Sequence, residues 1–470
     1  MSIGWDREIH ADMPLKYTIT LLLNICLVLS ASEAQTFQLM RYDENYAAFR
    51  DSARIFYHRI KYAPLSTSGQ AYLSFGGEVR WEYDAFDNED WGAFHAGKDN
   101  FLLQRYDLHA DLHLGDRLRF FAQLRSGLEN GRPHGPRPID EDKLNVQNLF
   151  GDIRIWEGPK DSLAFRGGRQ EINYGSGRLI SVREGPNLRL YFTGAKWMYT
   201  HKNLSLDAFA MEADSTHTGI FDNHGTKELN LWGAYASLAI PLFQHIDLYY
   251  IGIRRDNSPF EEGVENEYRH TVGSRIWRMG NGFNYDLEGD YQFGRFGAGH
   301  ISAWAAFIDV SYLWGDLKWM PQIGIRNDYM SGDRRPGDGN LQSFNPIYPR
   351  AGYFSGFDPQ VGAVNLIDVH PYLALLPLPN VTFNLDVAFN WRYSLGDGVY
   401  RPNGVLNLPG ASSTKRYIGT ANLVKVGYNI TPFVNINFGA QLFNAGPFVD
   451  NVVTGVKNAF LTNTQVVFKF

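Results

Sequence analysis

Cysteine is almost missing: Cys26 is the only one in 470 residues, which excludes a disulfide framework and thiolate metal sites. Long apolar runs are as scarce. One, from Tyr17 to Ser30, lies near the N-terminus, and the mean hydropathy of −0.30 is too polar for a bundle of membrane-crossing helices. There is no Ser/Pro tract, no block of like charge and no heptad run, so nothing marks a linker between soluble domains. A net charge of −6 gives nucleic acid no electrostatic footing. G-x-S-x-G and H-E-x-x-H are lacking, and the 13 histidines follow no metal-ligand spacing. Catalysis, a resident metal and a cofactor are therefore not expected.

The single apolar run reads as a secretory signal. Lys16 precedes it, and Ser32-Glu33-Ala34 supplies small residues at −3 and −1, placing cleavage after Ala34. Starting from Met13 would give a conventional basic segment, and a retained anchor helix is the alternative. Leu23-Asn24-Ile25 before Cys26 does not resemble a lipoprotein cleavage site. The chain divides into a signal peptide (1–34), an N-terminal periplasmic preface (35–71) and a strand-rich body (72–470). Within the preface, Arg50 to Lys61 suggests a short helix. A plug role for it is open, although the segment is small.

What is abundant is aromatic residues, at 15%, and glycine, at 47 residues, a bias toward strands and turns. From Tyr72 onward the apolar residues recur with period two. Leu102, Tyr106, Leu108, Ala110, Leu112 and Leu114 share one face; Arg105, Asp107, His109, Asp111 and His113 share the other. Such a stretch matches a tilted membrane strand, which needs about 9–11 residues. Similar segments start near 72, 101, 117, 146, 162, 190, 204, 230, 245, 267, 283, 300, 317, 367, 381, 416, 433 and 458. Short connections such as Gly115-Asp116, Lys202-Asn203 and Thr431-Pro432 alternate with long ones, including 130–145, 174–189, 331–366 and 395–415. The expected fold is an all-β, antiparallel, up-and-down transmembrane β-barrel of about 18 strands, with short periplasmic turns and long extracellular loops, in the outer membrane of a Gram-negative cell. The final strand ends on Phe470, as barrel-assembly signals commonly do.

By phase, Arg80, Arg105, Arg119, Arg125, Arg154 and Arg166 point into the lumen, joined by Arg326 and Arg392. Guanidinium is charged at any relevant pH and forks onto carboxylates. A ladder of arginines would attract and orient anions. Alternatively the arginines pair internally with Glu78, Glu82, Asp107, Asp111, Asp152 and Asp386. Asp286, Glu288 and Asp290 make one strand acidic, suggesting a transverse field between two walls. Either of the loops 174–189 and 331–366 has the Gly and Arg content to fold inward. Asp333 and Asp338 raise a calcium ion in the second loop, without regular ligand spacing.

Three stretches resemble the bacterial alginate export porins. They are Gly168-Arg169-Gln170-Glu171-Ile172-Asn173-Tyr174-Gly175 with Arg178-Leu179, Arg183, Pro186-Asn187-Leu188-Arg189 and Gly194; Ser331-Gly332-Asp333 with Asp338-Gly339 and Phe344-Asn345-Pro346-Ile347-Tyr348-Pro349; and Trp391-Arg392 with Asp397-Gly398-Val399-Tyr400 and Tyr417-Ile418-Gly419-Thr420. The resemblance implies an 18-stranded monomeric barrel with an arginine-lined constriction, passively exporting a polyuronate that periplasmic partners supply. It makes Arg169, Arg183, Arg189 and Arg392 pore or loop arginines. This chain departs in its acidic balance and in Thr193-Gly194, where the family often has Asp-Gly. The expected partners are an anionic polysaccharide or small anions and outer-membrane lipid, with no nucleic acid. A general or small-anion diffusion porin is the alternative function, and a barrel hydrolase using Asp107 and His109 is the third.

Overall fold

Alternation along a strand turns one face of a sheet apolar and the other polar, and the sheet here closes so that the polar face lies inside. The computed structural model describes residues 37–51, 55–93, 97–241, 243–350, 352, 356 and 360–470. The signal-peptide segment lies outside the described residues. Eighteen antiparallel strands form the barrel. They begin with β1 (Ala71–Asp87), β2 (Lys98–Leu114), β3 (Leu118–Asn130), β4 (Asp142–Glu157), β5 (Asp161–Gln170) and β6 (Phe192–His201). Next come β7 (Leu204–Ser215), β8 (His224–Ile240), β9 (Gln244–Phe260), β10 (Gly263–Arg278), β11 (Gly282–Phe296) and β12 (Gly299–Leu313). The last are β13 (Gln322–Met330), β14 (Leu366–Leu378), β15 (Val381–Arg392), β16 (Tyr417–Thr431), β17 (Val434–Ala445) and β18 (Ala459–Lys469). Each strand pairs with its chain neighbours, and β18 returns to β1 with Glu78 opposite Lys469 and Asp87 opposite Phe460. Closure leaves no sheet edge, so every strand can satisfy its backbone within the bilayer.

Burial is the reverse of a soluble sandwich. On β2, Arg105 is 0% exposed and Asp107 7%, while Leu108 is 54% exposed. The apolar face meets lipid and the charged face is packed inside. Connections at one end are short, as at 115–117, 202–203 and 432–433; those at the other include 131–141, 171–191, 331–365 and 393–416. Two turns on the long-loop side, 261–262 and 297–298, are as tight as those opposite, because β9 to β12 run far enough to need no loop. Among the described residues no helix is long and apolar enough to cross a membrane.

The preface differs from a detached periplasmic segment. Its helix α1 is Phe56–Lys61, preceded by two short 3₁₀ turns. The strap formed by residues 37–51 and 55–62 folds into the short-turn mouth. The Tyr42 ring stands edge-on to Phe121 and Phe150, both lumen-facing, and its hydroxyl donates to Glu171 O at 2.6 Å. Arg41 donates to Gly77 O and to Phe470 O, and Lys61 also donates to Phe470 O. Residues 63–64 pair with Tyr72 and Leu73, covering the part of β1 that lies below its pairing with β18.

Candidate lumen constriction

A guanidinium buried in a barrel wall needs a carboxylate within reach, since an unpaired buried charge is costly. Cross-strand register supplies one. Asp107 and Arg125 stand directly opposite on β2 and β3, and the fork closes at 2.7 and 2.6 Å. Arg119 forks onto Asp111 at 2.7 and 2.8 Å, and Arg166 onto Asp152 at 2.7 and 2.8 Å. Arg105 reaches Glu78 at 3.3 Å, Arg80 reaches Glu82 at 3.4 Å, and Arg326 comes within 4.0 Å of Asp386. The internal pairing that the sequence left open is the arrangement of this wall.

The acidic strand has a different employment. Asp286 and Glu288 on β11 receive Arg178 Nη1 at 2.8 and 2.7 Å. Arg178 belongs to the 171–191 loop, not to the wall. Gly175 and Gly177, both at positive φ, turn that loop back on itself, which a side chain at either position would resist. At its far side the loop presents Glu184, 2.7 Å from Arg105 and 3.1 Å from Arg189. Burial alone would raise the Glu184 carboxyl; Arg105, Arg189, Arg80 and Arg125 outweigh it and hold the group below the ordinary carboxylate range. The loop therefore crosses the lumen with its cation on the acidic wall and its anion on the basic wall. Asn187 fixes its return, donating to Gln104 O, Leu128 O and Asp140 O.

The 331–365 loop also turns inward. Ile180 and Tyr348 form a parallel bridge, with Ser181 N donating to Tyr348 O at 2.9 Å and Tyr348 N to Leu179 O at 2.8 Å. Beside the two loops a cavity of 420 Å³ remains, bounded by Arg80, Arg183, Arg350, Asn384, Lys425 and Asn463 among others. Among the described residues neither Arg183 nor Arg350 has a carboxylate within ion-pair distance, and Arg350 is exposed to the cavity.

The structure thus sorts the sequence candidates. Arg80, Arg105, Arg119 and Arg125 are wall residues, each engaged by an acid. Arg169 pairs with Asp214, and Arg189 holds Glu171 at 3.2 Å and donates to Leu39 O. Arg154 stands at the short-turn rim, 44% exposed and paired with Glu157, because it lies three residues before the end of β4; it is not in the constriction. Arg392 does not line the pore. It is 0% exposed, and its guanidinium donates to Leu395, Asp397, Gly410, Ser413 and Lys415 carbonyls. Asp333 accepts from Arg335 N and Asp338 from Asn340 N, so both carboxylates brace turns. Among the described residues no group of three or more His, Cys, Asp or Glu stands in metal-binding geometry. The sequence reading missed Glu184 and Arg350, although both fall in or beside the stretches quoted above, and it missed Lys425, whose inward phase on β16 was legible.

A family described as alginate export matches residues 71–461. None of the curated proteins matches the chain with significance. Among solved structures, a BenF-like porin from Pseudomonas fluorescens Pf-5 aligns over 85% of this chain and 98% of its own, at 10% identity and TM-score 0.56. OccAB1 of Acinetobacter baumannii covers 88% and 99% at 12% identity and TM-score 0.56. OccK2 (OpdF) of Pseudomonas aeruginosa, in complex with glucuronate, covers 85% and 96% at 11% identity and TM-score 0.55. At these identities the likeness is one of fold.

Proposed function

This chain belongs to the alginate export family and is an outer-membrane channel, and from that premise we propose that it passes uronates, the carboxylated sugars of a polyuronate, along the cavity beside its inward loops. The observation that carries the reading is the position of Arg183 and Arg350. Arg80, Arg105, Arg119, Arg125 and Arg166 already hold carboxylates, so in this cavity Arg183 and Arg350 are what a passing anion meets. A unit charge about 4 Å away is worth roughly 1–4 kcal/mol between bulk water and a protein-surface dielectric, enough to attract and weak enough to release. The glucuronate in the OccK2 structure supports a uronate over other anions. We read the protein as a channel and not a hydrolase, since Asp107 is spent on Arg125 and His109 is buried against Phe121.

A second reading, uptake of small organic anions, is favoured by the size of the cavity. Current block in planar bilayers separates the two. Oligouronates should interrupt the current more strongly as they lengthen, and uncharged oligosaccharides of equal length should not. Block by monouronate alone points to small-anion uptake; equal block by charged and uncharged sugars sinks both. In the Arg183→Gln/Arg350→Gln variant the anion-to-cation permeability ratio should fall about fivefold or more, from the Coulomb estimate above. An unchanged reversal potential under a salt gradient would remove these two residues from the pathway.

A further inference from the structure

Register places Asp328 of β13 directly opposite Asp368 of β14, and Asp368 directly opposite Asn390 of β15. All three side chains are on the lumen face and 0% exposed. Five oxygens in this row, both of Asp328, both of Asp368 and Asn390 Oδ1, are sealed from water and accept no hydrogen bond from the protein. Among the described residues no lysine or arginine pairs with either aspartate. Arg178 is drawn to Asp286 and Glu288 and Arg326 to Asp309. His370 comes nearest, its Nδ1 3.5 Å from Asp368 Oδ2 and its Nε2 3.3 Å from Asp386. On the other side Phe307 of β12 stands opposite Asp328, with the Arg178 guanidinium 5.2 Å over its ring.

Buried polar atoms in native proteins are satisfied almost without exception, and two buried carboxylates with a single imidazole at ion-pair distance would cost several kcal/mol. Directly opposed residues have Cβ atoms about 4.5–5.5 Å apart, which lets their oxygens converge on one ion at about 2.3–2.6 Å. The donors are all oxygen, two anionic and one an amide carbonyl. That set suits a hard cation and not zinc or copper. The Asn390 carbonyl matters to the argument because it is neutral: a pair of acids alone is relieved by sharing a proton, which gives the amide oxygen nothing.

We propose that Asp328, Asp368 and Asn390 form a cation site in the lumen wall, selective for calcium, that ties β13, β14 and β15 together beneath the 331–365 loop. It is independent of which solute the channel carries.

The test uses the full-length barrel in detergent, stripped with a chelator and titrated with calcium, magnesium or sodium chloride, read by calorimetry and by melting followed by circular dichroism. Calcium should bind with about one ion per barrel and raise the melting temperature, with magnesium weaker and sodium ineffective. Asp328→Asn with Asp368→Asn should weaken calcium binding at least ~tenfold, the range seen when metal-site residues are lost. Should that variant fail to fold, Asn390→Asp decides the matter, because a third carboxylate tightens a cation site and further strains a proton-sharing pair. Wild-type protein that binds no calcium, a calcium response that survives the double substitution, or weaker calcium binding in Asn390→Asp would each overturn the proposal.

Discussion

Replacing Arg178 with methionine should open the lumen. Methionine keeps the buried stem and removes the guanidinium that lies 2.8 Å from Asp286 and 2.7 Å from Glu288. Breaking a buried ion pair from one side costs about 3–5 kcal/mol, and here the cost falls on a single crossing segment and not on the sheet. Asp286 retains Arg275 at 2.6 Å and Glu288 retains the Tyr249 hydroxyl, so the wall stays folded while the loop loses its mooring on the acidic wall. Single-channel conductance should rise severalfold. Selectivity should move toward cations, because Arg183 leaves with the loop and the acidic strand is uncovered. Conductance equal to wild type would mean that Glu184, Asn187 and the Ile180–Tyr348 bridge suffice to keep the loop across the pore.

Arg392→Leu should act on stability and leave ion preference alone. Its guanidinium gathers carbonyls from one end of the 393–416 loop to the other and lies 4.1 Å over Phe448. Each buried carbonyl left without a donor costs about 1–3 kcal/mol, and several are stripped at once. The damage should spread to the 331–365 loop, since Asp397 accepts from Asp333 N and from the Ser343 hydroxyl. The temperature at which the compact band on a semi-native gel converts to the unfolded one should drop by many degrees, with the reversal potential of surviving channels unmoved. A shift in reversal potential at unchanged stability would return Arg392 to the pore.

Strand positions were legible because alternation is a property of each strand by itself. All eighteen expected strands are present, most starting within three residues of the expected position and those near 146, 230, 267 and 317 four to six residues off, and the inward phase of Arg105, Asp107 and Arg125 follows at once. Pairing was not legible, because it depends on turn length. The turn after β2 occupies 115–117, not Gly115-Asp116 alone, and that one extra residue brings Arg125 opposite Asp107 instead of Leu124. A slip of one residue exchanges a paired wall for an unpaired one. The loops carry no period at all. Nothing in the spacing of Arg178 and Glu184 announces that they moor to opposite walls; that depends on which walls are basic and acidic once the sheet has closed. Arg392 was misplaced for a related reason. It is the last residue of β15, where phase still points inward but the neighbours are already loop.

The strap has a place in time as well as in space. Arg41 and Lys61 bind Phe470 O across 429 and 409 residues of chain, and Tyr42 binds Glu171 O across 129. Phe470 reaches its place only when β18 meets β1, whereas the Glu171 contact needs only β3 to β5 to have paired. Contacts that span so much chain are entropically the slowest to form. The strap is therefore among the last segments to dock. Until it does, the barrel passes through an interval with its strands joined and its short-turn mouth open, and protection of residues 37–51 and 55–62 from protease marks the end of that interval.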